Sequence, residues 1–381
     1  MKILVVFIDM VRVTELNLLD NRKKETLLDK RLKSIGGTLF TRCYSPGPDT
    51  PRSNACMQTG LYPFFNGCNT RIKWPRYFIK ENITTIFDHA IEKGFEVNHC
   101  VRPHSFETGL LKFKDSPMVH NYNDHYKEFF KKENFSTDSL SFVYTPDWHI
   151  ANTDLSYTPY AFRKGDEAVD KLFELYLPQD LIDEFDYTII YSDHGFQFES
   201  ESVHMKNKLE LLDDGRNKLL TLIHKKGDSN ICKDDRIASI VDIYATIEQL
   251  LGGNDFRQGF SLLDQPQRTI THVEDHQDFR VYPEVMIKQW RVISDEYDIR
   301  TDVYTTIDKN GHKADLQLID TYLRKFSPHY ADYVKQLEVW KHYAVLSKEE
   351  GNRYMVGLRR SNKFVIKLFR LFHIFRKLTK V

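Results

Sequence analysis

Residues 44–63, "YSPGPDTPRSNACMQTGLYP", pass from a proline-rich loop into a short predicted helix that ends at Gly60. Thr50 is a favourable N-cap residue, and Pro51 suits the first helical position, where no backbone N–H is needed. Backbone N–H groups at a helix N-terminus attract anions, and Arg52 adds a charged hydrogen-bond donor there. The stretch predicts a rigidly held hydroxyl beside an anion-binding position, although many helices that begin with Thr-Pro carry no site.

Apolar runs alternate with helical patterns through the first two thirds of the chain. Strand candidates cover 2–9, 140–147 and 186–195, and a helix candidate over 26–37 stops at a glycine pair. Such alternation predicts an α/β fold with a mainly parallel central sheet sandwiched by helices.

Acidic residues and a histidine follow three of the predicted strands, namely Asp9, Asp147, Asp193 and His194. Because the carboxyl ends of parallel strands meet at one edge of a sheet, we expect these side chains to lie close together. Carboxylates and a neutral imidazole suit Zn²⁺ or Mn²⁺. Each residue alone is also compatible with a solvated strand-end turn. Together with Thr50 they predict a metal site that activates the hydroxyl and polarises a phosphoryl or sulfuryl oxygen.

Composition excludes several classes of protein. Lys plus Arg and Asp plus Glu both number 54 in the 381 residues, so no overall basic field indicates nucleic-acid binding. Five scattered cysteines without a CxxC motif indicate reduced thiols in the cytoplasm. The first ten residues are too short for a signal peptide, and no segment is long and apolar enough to span a membrane.

The chain is expected to divide into three parts. Residues 1–282 form the catalytic domain, with a polar and aromatic insertion at 112–139 near the site, and residues 283–358 form a smaller C-terminal subdomain. Residues 359–381 form a basic amphipathic helix.

That tail has a broad apolar face, and residues 361–381 contain six lysines or arginines and no acidic residue. Such a helix binds an anionic membrane surface, whereas a helix docked on the core is the alternative. We therefore expect a peripheral protein on the inner face of the membrane.

Several motifs together resemble those of a known family. Residues 40–63, "FTRCYSPGPDTPRSNACMQTGLYP", resemble the sulfatase loop Cys/Ser-x-Pro-x-Arg, which a helix and Thr-Gly-x-Tyr-Pro follow. "SDHG" resembles the metal pair of the same family, and "IVDIYATIEQLLGG" with "QGFSLLD" resembles its downstream pattern. The resemblance covers about 260 residues. On the order and spacing of these motifs, the chain is identified as a member of the alkaline phosphatase superfamily, in its sulfatase-like branch.

Three departures separate this chain from the sulfatases. Thr50 stands at the nucleophile position and cannot become formylglycine, Asn54 replaces an arginine, and the first strand ends in the single Asp9. These features resemble nucleotide pyrophosphatases/phosphodiesterases, phosphoethanolamine transferases and lipoteichoic acid synthases. The resemblance therefore implies phosphate-ester chemistry through a covalent phosphothreonine.

The resemblance also implies roles for further residues. Arg102 and His104 fall on the Lys and His positions of a Lys-Trp-His motif, while His204 and Lys206 fall near a transferase histidine and a sulfatase lysine. The expected catalytic residues are Thr50, Arg52, His149 and His204. The expected substrate-binding residues are Asn54, Arg102, His104 and Lys206. The expected metal ligands are Asp9, Thr50, Asp193, His194 and Asp147, with Asp147 and His149 near a second metal or acid–base position. For His149 and His204, a surface position without function is the alternative.

The leading functional prediction is a metal-dependent phosphotransferase. It would move a phosphoryl-linked group, such as phosphoglycerol or phosphoethanolamine, from a phosphate-ester donor to a cell-envelope glycan or lipid-linked glycan. One alternative is a phosphodiesterase or phosphomonoesterase, in which water is the acceptor. Another is an inactive metal-binding scaffold in envelope assembly.

Overall fold

A computed structural model describes residues 1–68, 79–102, 111–112, 114–135, 137–198, 212–264, 268–278, 286–302, 306–308 and 317–326. The chain divides into two compact units, residues 1–317 and residues 318–381. His104, His204, Lys206 and the predicted tail helix lie outside the described residues. Among the residues that are described, no helix combines the length and the apolar character needed to cross a bilayer.

Two sheets are formed by the described part of unit 1–317. The strands of the large sheet are β1 (Lys2–Ile8), β2 (Gly37–Tyr44), β3 (Glu96–Cys100), β4 (Val119–Asn121), β5 (Ser139–Thr145), β6 (Tyr187–Tyr191), β7 (Lys218–Leu219), β8 (Thr221–Lys225) and β9 (Ile231–Ser239). The small sheet contains β10 (Ile270–Asp278), β11 (Met286–Ser294), β12 (Asp298–Asp302) and β13 (Thr306–Asp308), which pair in that order and are antiparallel.

The helices of the described chain are α1 (Leu27–Ile35), α2 (Thr50–Thr59), α3 (Pro63–Asn66), α4 (Ile86–Glu92), α5 (Tyr126–Phe129), α6 (Asp147–Asp154), α7 (Pro159–Tyr176), α8 (Gln179–Ile182), α9 (Asp214–Asn217), α10 (Ile240–Leu250) and α11 (Gln317–Phe326). Short 3₁₀ helices occupy Val13–Glu15 and Lys132–Phe135. Side chains at the N-caps of α1 and α4 form capping boxes, in which Thr26 pairs with Asp29 and Thr85 with Asp88.

The large sheet is mainly parallel, which confirms the predicted fold class. Strands β4, β3, β5, β1 and β6 lie side by side and parallel, and β8 follows antiparallel to β6. Strand β2 is antiparallel to β8, so it runs in the same direction as β1 and β6, and β9 pairs with it in parallel. The carboxyl ends of β1, β5, β6 and β2 therefore lie along one edge of the sheet.

Strand β1 is buried on both faces, as expected for the centre of a parallel sheet covered by helices. Leu4, Val6 and Ile8 belong to a hydrophobic cluster that includes Leu28 of α1 and Val169 of α7. Because side chains alternate along a strand, Phe7 and Asp9 lie on the opposite face from this cluster. The helix packing thus fixes which face of the sheet receives the functional side chains.

Three local features differ from the sequence expectations. Asp147 is the first residue of helix α6 and not part of a strand. Residues 119–121 of the predicted insertion form β4 and extend the sheet at its edge beside β3. The boundary expected after residue 282 falls between β10 and β11, two strands that pair along their whole length. The sequence pattern does not reveal such strand pairings, because the backbone hydrogen bonds of a strand are made with a partner strand elsewhere in the chain.

Candidate metal and nucleophile site

The ends of β1 and β6 bring together three residues that can bind a metal. Ligand atoms of Asp9, Asp193 and His194 all lie within 4.8 Å of one another, and the three side chains are buried. The two strands are parallel neighbours with Phe7 opposite Tyr191, so residues two positions further on emerge at the same edge. The sequence predicted this meeting of strand-end residues.

The donor atoms of this cluster fit a divalent cation. Oδ1 of Asp193 accepts hydrogen bonds from the backbone N–H groups of Met10 at 3.0 Å and His194 at 2.8 Å. Its other oxygen, Oδ2, is buried 3.4 Å from His194 Nε2 and accepts no hydrogen bond from the described residues, which is costly for a carboxylate unless a cation satisfies it. His194 donates from Nδ1 to the Gly195 carbonyl at 2.6 Å, so its Nε2 lone pair remains for a ligand. Two carboxylates and one imidazole suit Zn²⁺ or Mn²⁺.

Backbone geometry at two positions supports the cluster. Met10 has a φ of 66°, a left-handed conformation that is uncommon for a residue with a side chain, and it turns its N–H toward Asp193. At Gly195, a Cβ atom would lie 2.1 Å from the Gly215 carbonyl oxygen. The glycine of "SDHG" is therefore required by a close approach of two chain segments.

The hydroxyl of Thr50 reaches the same cluster. Its Oγ1 lies 3.4 Å from Oδ1 of Asp9 and 3.4 Å from Nε2 of His194. Thr50 is the first residue of α2, and the N-cap is Asp49, whose side chain accepts a hydrogen bond from the Arg52 N–H. The helix thus begins one residue earlier than predicted. It ends at Gly60 as expected, with the glycine in the left-handed conformation.

Serine side chains hold α2 against the end of β6. Ser53 Oγ donates to the carbonyl of Asp193 at 2.7 Å, and Ser45 Oγ donates to Ser53 Oγ at 3.0 Å. Both serines are fully buried. These hydrogen bonds link the nucleophile helix directly to the metal-binding strand, and the sequence analysis did not identify either serine.

Arg52 does not face this cluster, which corrects the prediction that it clamps an anion. Its side chain is 2% exposed, its Nε donates to Asp49 Oδ2 at 2.6 Å, and its Nη1 donates to the Glu274 carbonyl at 3.0 Å. Asp49 is itself buried. The guanidinium therefore forms a buried ion pair with the N-cap residue of α2.

Asn54 also has a role other than the one predicted. Its side chain is fully buried, donates from Nδ2 to the Thr50 carbonyl at 3.1 Å and accepts from the Tyr191 hydroxyl at 2.8 Å. It therefore braces α2 against β6 from inside the protein, where a substrate does not reach it.

Asp9 is surrounded by groups that stabilise its charged form. Its Oδ2 accepts a 2.7 Å hydrogen bond from the Tyr144 hydroxyl and lies 3.3 Å from Nδ1 of His149. Burial acts to raise the pKa of Asp9, but His149, His194 and Tyr144 together hold that pKa below its usual value. Burial and the negative charge of Asp9 raise the pKa of Tyr144, so its hydroxyl stays protonated and donates.

Asp193 differs from Asp9 in its electrostatic environment. Burial raises its pKa to about 6, with His194 opposing this effect and Asp9 adding to it. A bound cation favours the charged carboxylate, so burial of this residue is compatible with metal binding.

Two further predicted residues lie beside the cluster. Asp147 is not part of the group that Asp9, Asp193 and His194 form within 4.8 Å, so its expected place at a second metal or acid–base position stays a prediction. Burial raises the pKa of Asp147, and the charge of nearby Arg102 partly offsets that shift. Arg102 also lowers the pKa of Tyr144 slightly, which places its charge near the Asp9 side of the site. His149 is the more accessible group here, with 38% of its side chain exposed.

Tyrosines 144 and 191 were missed by the sequence analysis. A signal for Tyr191 is present, because an aromatic residue precedes the strand-end acid by two positions in both "VVFID" and "IIYSDH", whereas Tyr144 precedes Asp147 by three positions. The period of a strand places such residues on the same face as the acid.

No family model matches the sequence, and no curated protein sequence matches it. Solved structures do match. A 4S-sulfatase of Bacteroides thetaiotaomicron, described with the metabolism of glycosaminoglycans, is 12% identical, with a TM-score of 0.60 and coverage of 91% of this chain and 99% of that one. A protein of the alkaline phosphatase superfamily from Vibrio parahaemolyticus is 15% identical, with a TM-score of 0.59 and 87% of each chain covered.

A phosphonate monoester hydrolase of Agrobacterium radiobacter is 13% identical, with a TM-score of 0.58 and coverage of 89% of this chain and 95% of that one. At these levels of identity the likeness concerns the fold. The central sheet and its flanking helices agree with that likeness. This chain therefore has the fold of the alkaline phosphatase superfamily, in the form shared by sulfatases and phosphonate monoester hydrolases.

Proposed function

We propose that this protein is a metal-dependent enzyme that acts on phosphate esters and uses Thr50 as a covalent nucleophile. The observation that carries this proposal is the position of Thr50 Oγ1, at 3.4 Å from both Asp9 and His194 at the start of a helix. The solved structures with this fold include sulfatases and phosphonate monoester hydrolases. A threonine cannot provide the aldehyde of a sulfatase, so the residues favour phosphate over sulfate esters.

The reaction consists of two displacements at phosphorus. Thr50 Oγ1 attacks the phosphorus atom and loses its proton, and the bond from phosphorus to the donor oxygen breaks as that oxygen gains a proton. An acceptor hydroxyl then attacks the same phosphorus, and the bond to Thr50 breaks with return of a proton to Oγ1. A divalent cation held by Asp9, Asp193 and His194 would lower the pKa of the hydroxyl and offset phosphoryl charge.

Other side chains of the site supply orientation and proton transfer in this proposal. His149 lies against Asp9 and is partly exposed, and on this support we assign it the exchange of a proton with the departing or the incoming oxygen. Thr50 lies at the N-terminal, partially positive end of α2, which favours an anion near it. Arg102 contributes positive charge beside Tyr144 and Asp147, and we assign it to substrate binding.

The acceptor in our proposal is a hydroxyl of a cell-envelope glycan or lipid-linked glycan, and the donor is a phosphodiester that carries phosphoglycerol or phosphoethanolamine. Hydrolysis follows from the same chemistry when water takes the place of the acceptor. Support for transfer comes from the resemblance of the Thr50 loop to threonine-dependent transferases.

The nucleophile is tested by mass spectrometry after reaction with such donors. We expect the mass of the transferred group on the peptide that contains Thr50, reduced but present turnover in Thr50→Ser, and no turnover in Thr50→Val. Undiminished turnover in Thr50→Val would contradict the proposal, because water would then be the attacking group. Product analysis with and without a glycan acceptor separates transfer from hydrolysis.

We further propose that residues 361–381 hold the enzyme on the anionic inner face of a membrane, close to a lipid-linked acceptor. The support is the charge pattern of this segment, with six basic residues and no acidic one. A chain truncated after residue 360 should lose binding to anionic vesicles and keep its activity on a soluble donor. Equal vesicle binding by both chains, or by neither, would contradict the membrane assignment.

A further inference from the structure

We propose that Tyr144 and Tyr191 are positioning residues, one for the metal ligand Asp9 and the other for the helix that carries Thr50. Together with Phe7 they form a continuous aromatic row across strands β5, β1 and β6. The inference rests on the proposed function, because it assigns these residues to the same site.

The aromatic row follows from strand register. Phe7 pairs with Tyr144 on one side and with Tyr191 on the other. Its ring centroid lies 5.0 Å from that of Tyr144 and 5.1 Å from that of Tyr191, with interplanar angles of 25° and 14°. Side chains repeat every second residue along a strand, so Asp9 and Asp193 lie directly beyond this row on the same face. Both carboxylates therefore lie next to the aromatic row, on the same face of the sheet.

The two hydroxyls of the row point to different parts of the site. Tyr144 donates to Oδ2 of Asp9 at 2.7 Å, which leaves Oδ1, at 3.4 Å from the Thr50 hydroxyl, to face the cluster. Without that hydrogen bond Oδ2 is left with its 3.3 Å contact to Nδ1 of His149, and the terminal torsion of the carboxylate is a broad and weakly restrained one. Tyr144 thus selects the oxygen that Asp9 presents to a cation.

Tyr191 acts on the nucleophile through one intermediate residue. Its hydroxyl donates to Asn54 Oδ1 at 2.8 Å, and Asn54 Nδ2 donates to the carbonyl of Thr50 at 3.1 Å. All three residues lie where α2 meets β6, and Tyr191 and Asn54 are fully buried. These two hydrogen bonds therefore connect the first turn of α2 to strand β6, which Asp193 follows.

The test uses two variants that remove only a hydroxyl, Tyr144→Phe and Tyr191→Phe. The stacked ring stays in place in both, so the fold and the row are preserved. Tyr244→Phe is the matched control, because this buried tyrosine forms its hydroxyl contact with His89, at 3.2 Å, in a different cluster. Three measurements are made on each full-length protein: Mn²⁺ affinity by calorimetry on metal-free protein, amide hydrogen exchange in the peptide 44–60, and rate of phosphothreonine formation.

Tyr144→Phe should weaken Mn²⁺ binding by about 10- to 100-fold, as loss of a group that orients a metal ligand commonly does. It should leave hydrogen exchange in residues 44–60 near the wild-type rate. Tyr191→Phe should have the converse effect: Mn²⁺ affinity within about twofold of wild type, faster exchange in the first turn of α2, and phosphothreonine formation slower by roughly tenfold or more. The control should change none of the three.

Wild-type Mn²⁺ affinity in Tyr144→Phe, or wild-type exchange in Tyr191→Phe, would overturn the corresponding assignment. Equal losses in all three measurements for both variants would also overturn it, because they would indicate general loosening of the core. A wild-type protein that binds Mn²⁺ but forms no phosphothreonine would refute the proposed function instead. The calorimetric and exchange measurements still decide the positioning roles in that case.

Discussion

Arg52 offers the sharpest contrast between a catalytic and a structural role. Its guanidinium is buried and bonded to Asp49 and to the Glu274 carbonyl, so Arg52→Ala should act on stability and leave anion binding intact. The substitution takes the Arg52 guanidinium away from the buried Asp49 carboxylate. Breaking a buried ion pair in this way costs about 3–5 kcal/mol in the free energy of unfolding.

The structure provides two matched comparisons for this value. Arg22 forms an ion pair with Asp20 on the surface, where 86% of the arginine side chain is exposed and solvent screens the charges, so Arg22→Ala should leave the free energy of unfolding near the wild-type value. The double variant Asp49→Asn with Arg52→Met removes both buried charges and keeps a residue that can cap α2. It should recover part of the loss, because both charges of the buried pair are removed together.

Urea unfolding gives the stabilities, and steady-state kinetics on a phosphodiester gives KM. We expect a large shift in the unfolding midpoint for Arg52→Ala, with an unchanged denaturant dependence and KM within about twofold of wild type. A stability within about 1 kcal/mol of wild type, combined with a KM raised by tenfold or more, would refute this reasoning. Arg52 would then bind the substrate anion after all.

Three further outcomes follow from the site and the core. Gly195→Ala should lower Mn²⁺ affinity and cost about 1–3 kcal/mol of stability by calorimetry and urea unfolding, because its Cβ would meet the Gly215 carbonyl at 2.1 Å; unchanged values would disprove the close approach. Burial lowers the pKa of His99 from 6.5 to about 3, so the unfolded chain binds the extra proton as pH falls below that ordinary value. The free energy of unfolding should therefore be about 2 kcal/mol lower at about pH 5 than at about pH 8. In a pH series of unfolding curves, His99→Leu should lack this decrease. Removal of metal by a chelator should lower the melting temperature, and free Mn²⁺ at about 100 times its Kd should restore about 2.7 kcal/mol; Asp193→Asn should show little of this response.

Most of the site could be predicted from one rule, that the carboxyl ends of parallel strands meet at one edge of a sheet. Asp9, Asp193 and His194 were brought together by a general property of parallel sheets, and no knowledge of side-chain packing was needed. The Thr50 helix was likewise readable from its loop, proline and terminal glycine, with the N-cap displaced by one residue. Local chemistry and a short list of topological rules were sufficient for these features.

Side-chain direction was the part that the sequence did not determine. The pairing of Arg52 depends on the carbonyl of Glu274, which lies 222 residues away along the chain. Asn54 likewise turns inward because Tyr191 of β6 presents a hydroxyl to it. In both cases a polar residue near the nucleophile was interpreted as a ligand for the substrate. Whether such a side chain turns toward the substrate or into the protein depends on partners that are distant in sequence. The spacing of residues along the chain contains no information about those partners.

The inward commitment of Arg52 and Asn54 has a consequence for how an anionic substrate is bound. The cluster itself presents the carboxylates of Asp9 and Asp193, which repel a phosphate ester until a cation offsets their charge. Among the residues that the structure describes, those that bring positive charge to it in our proposal are the N-terminal end of α2 and Arg102. A partial helix charge and one arginine do not outweigh two buried carboxylates. In our proposal the cation must therefore bind before the substrate, and Tyr144 affects substrate binding through the oxygen of Asp9 that it leaves free for that cation.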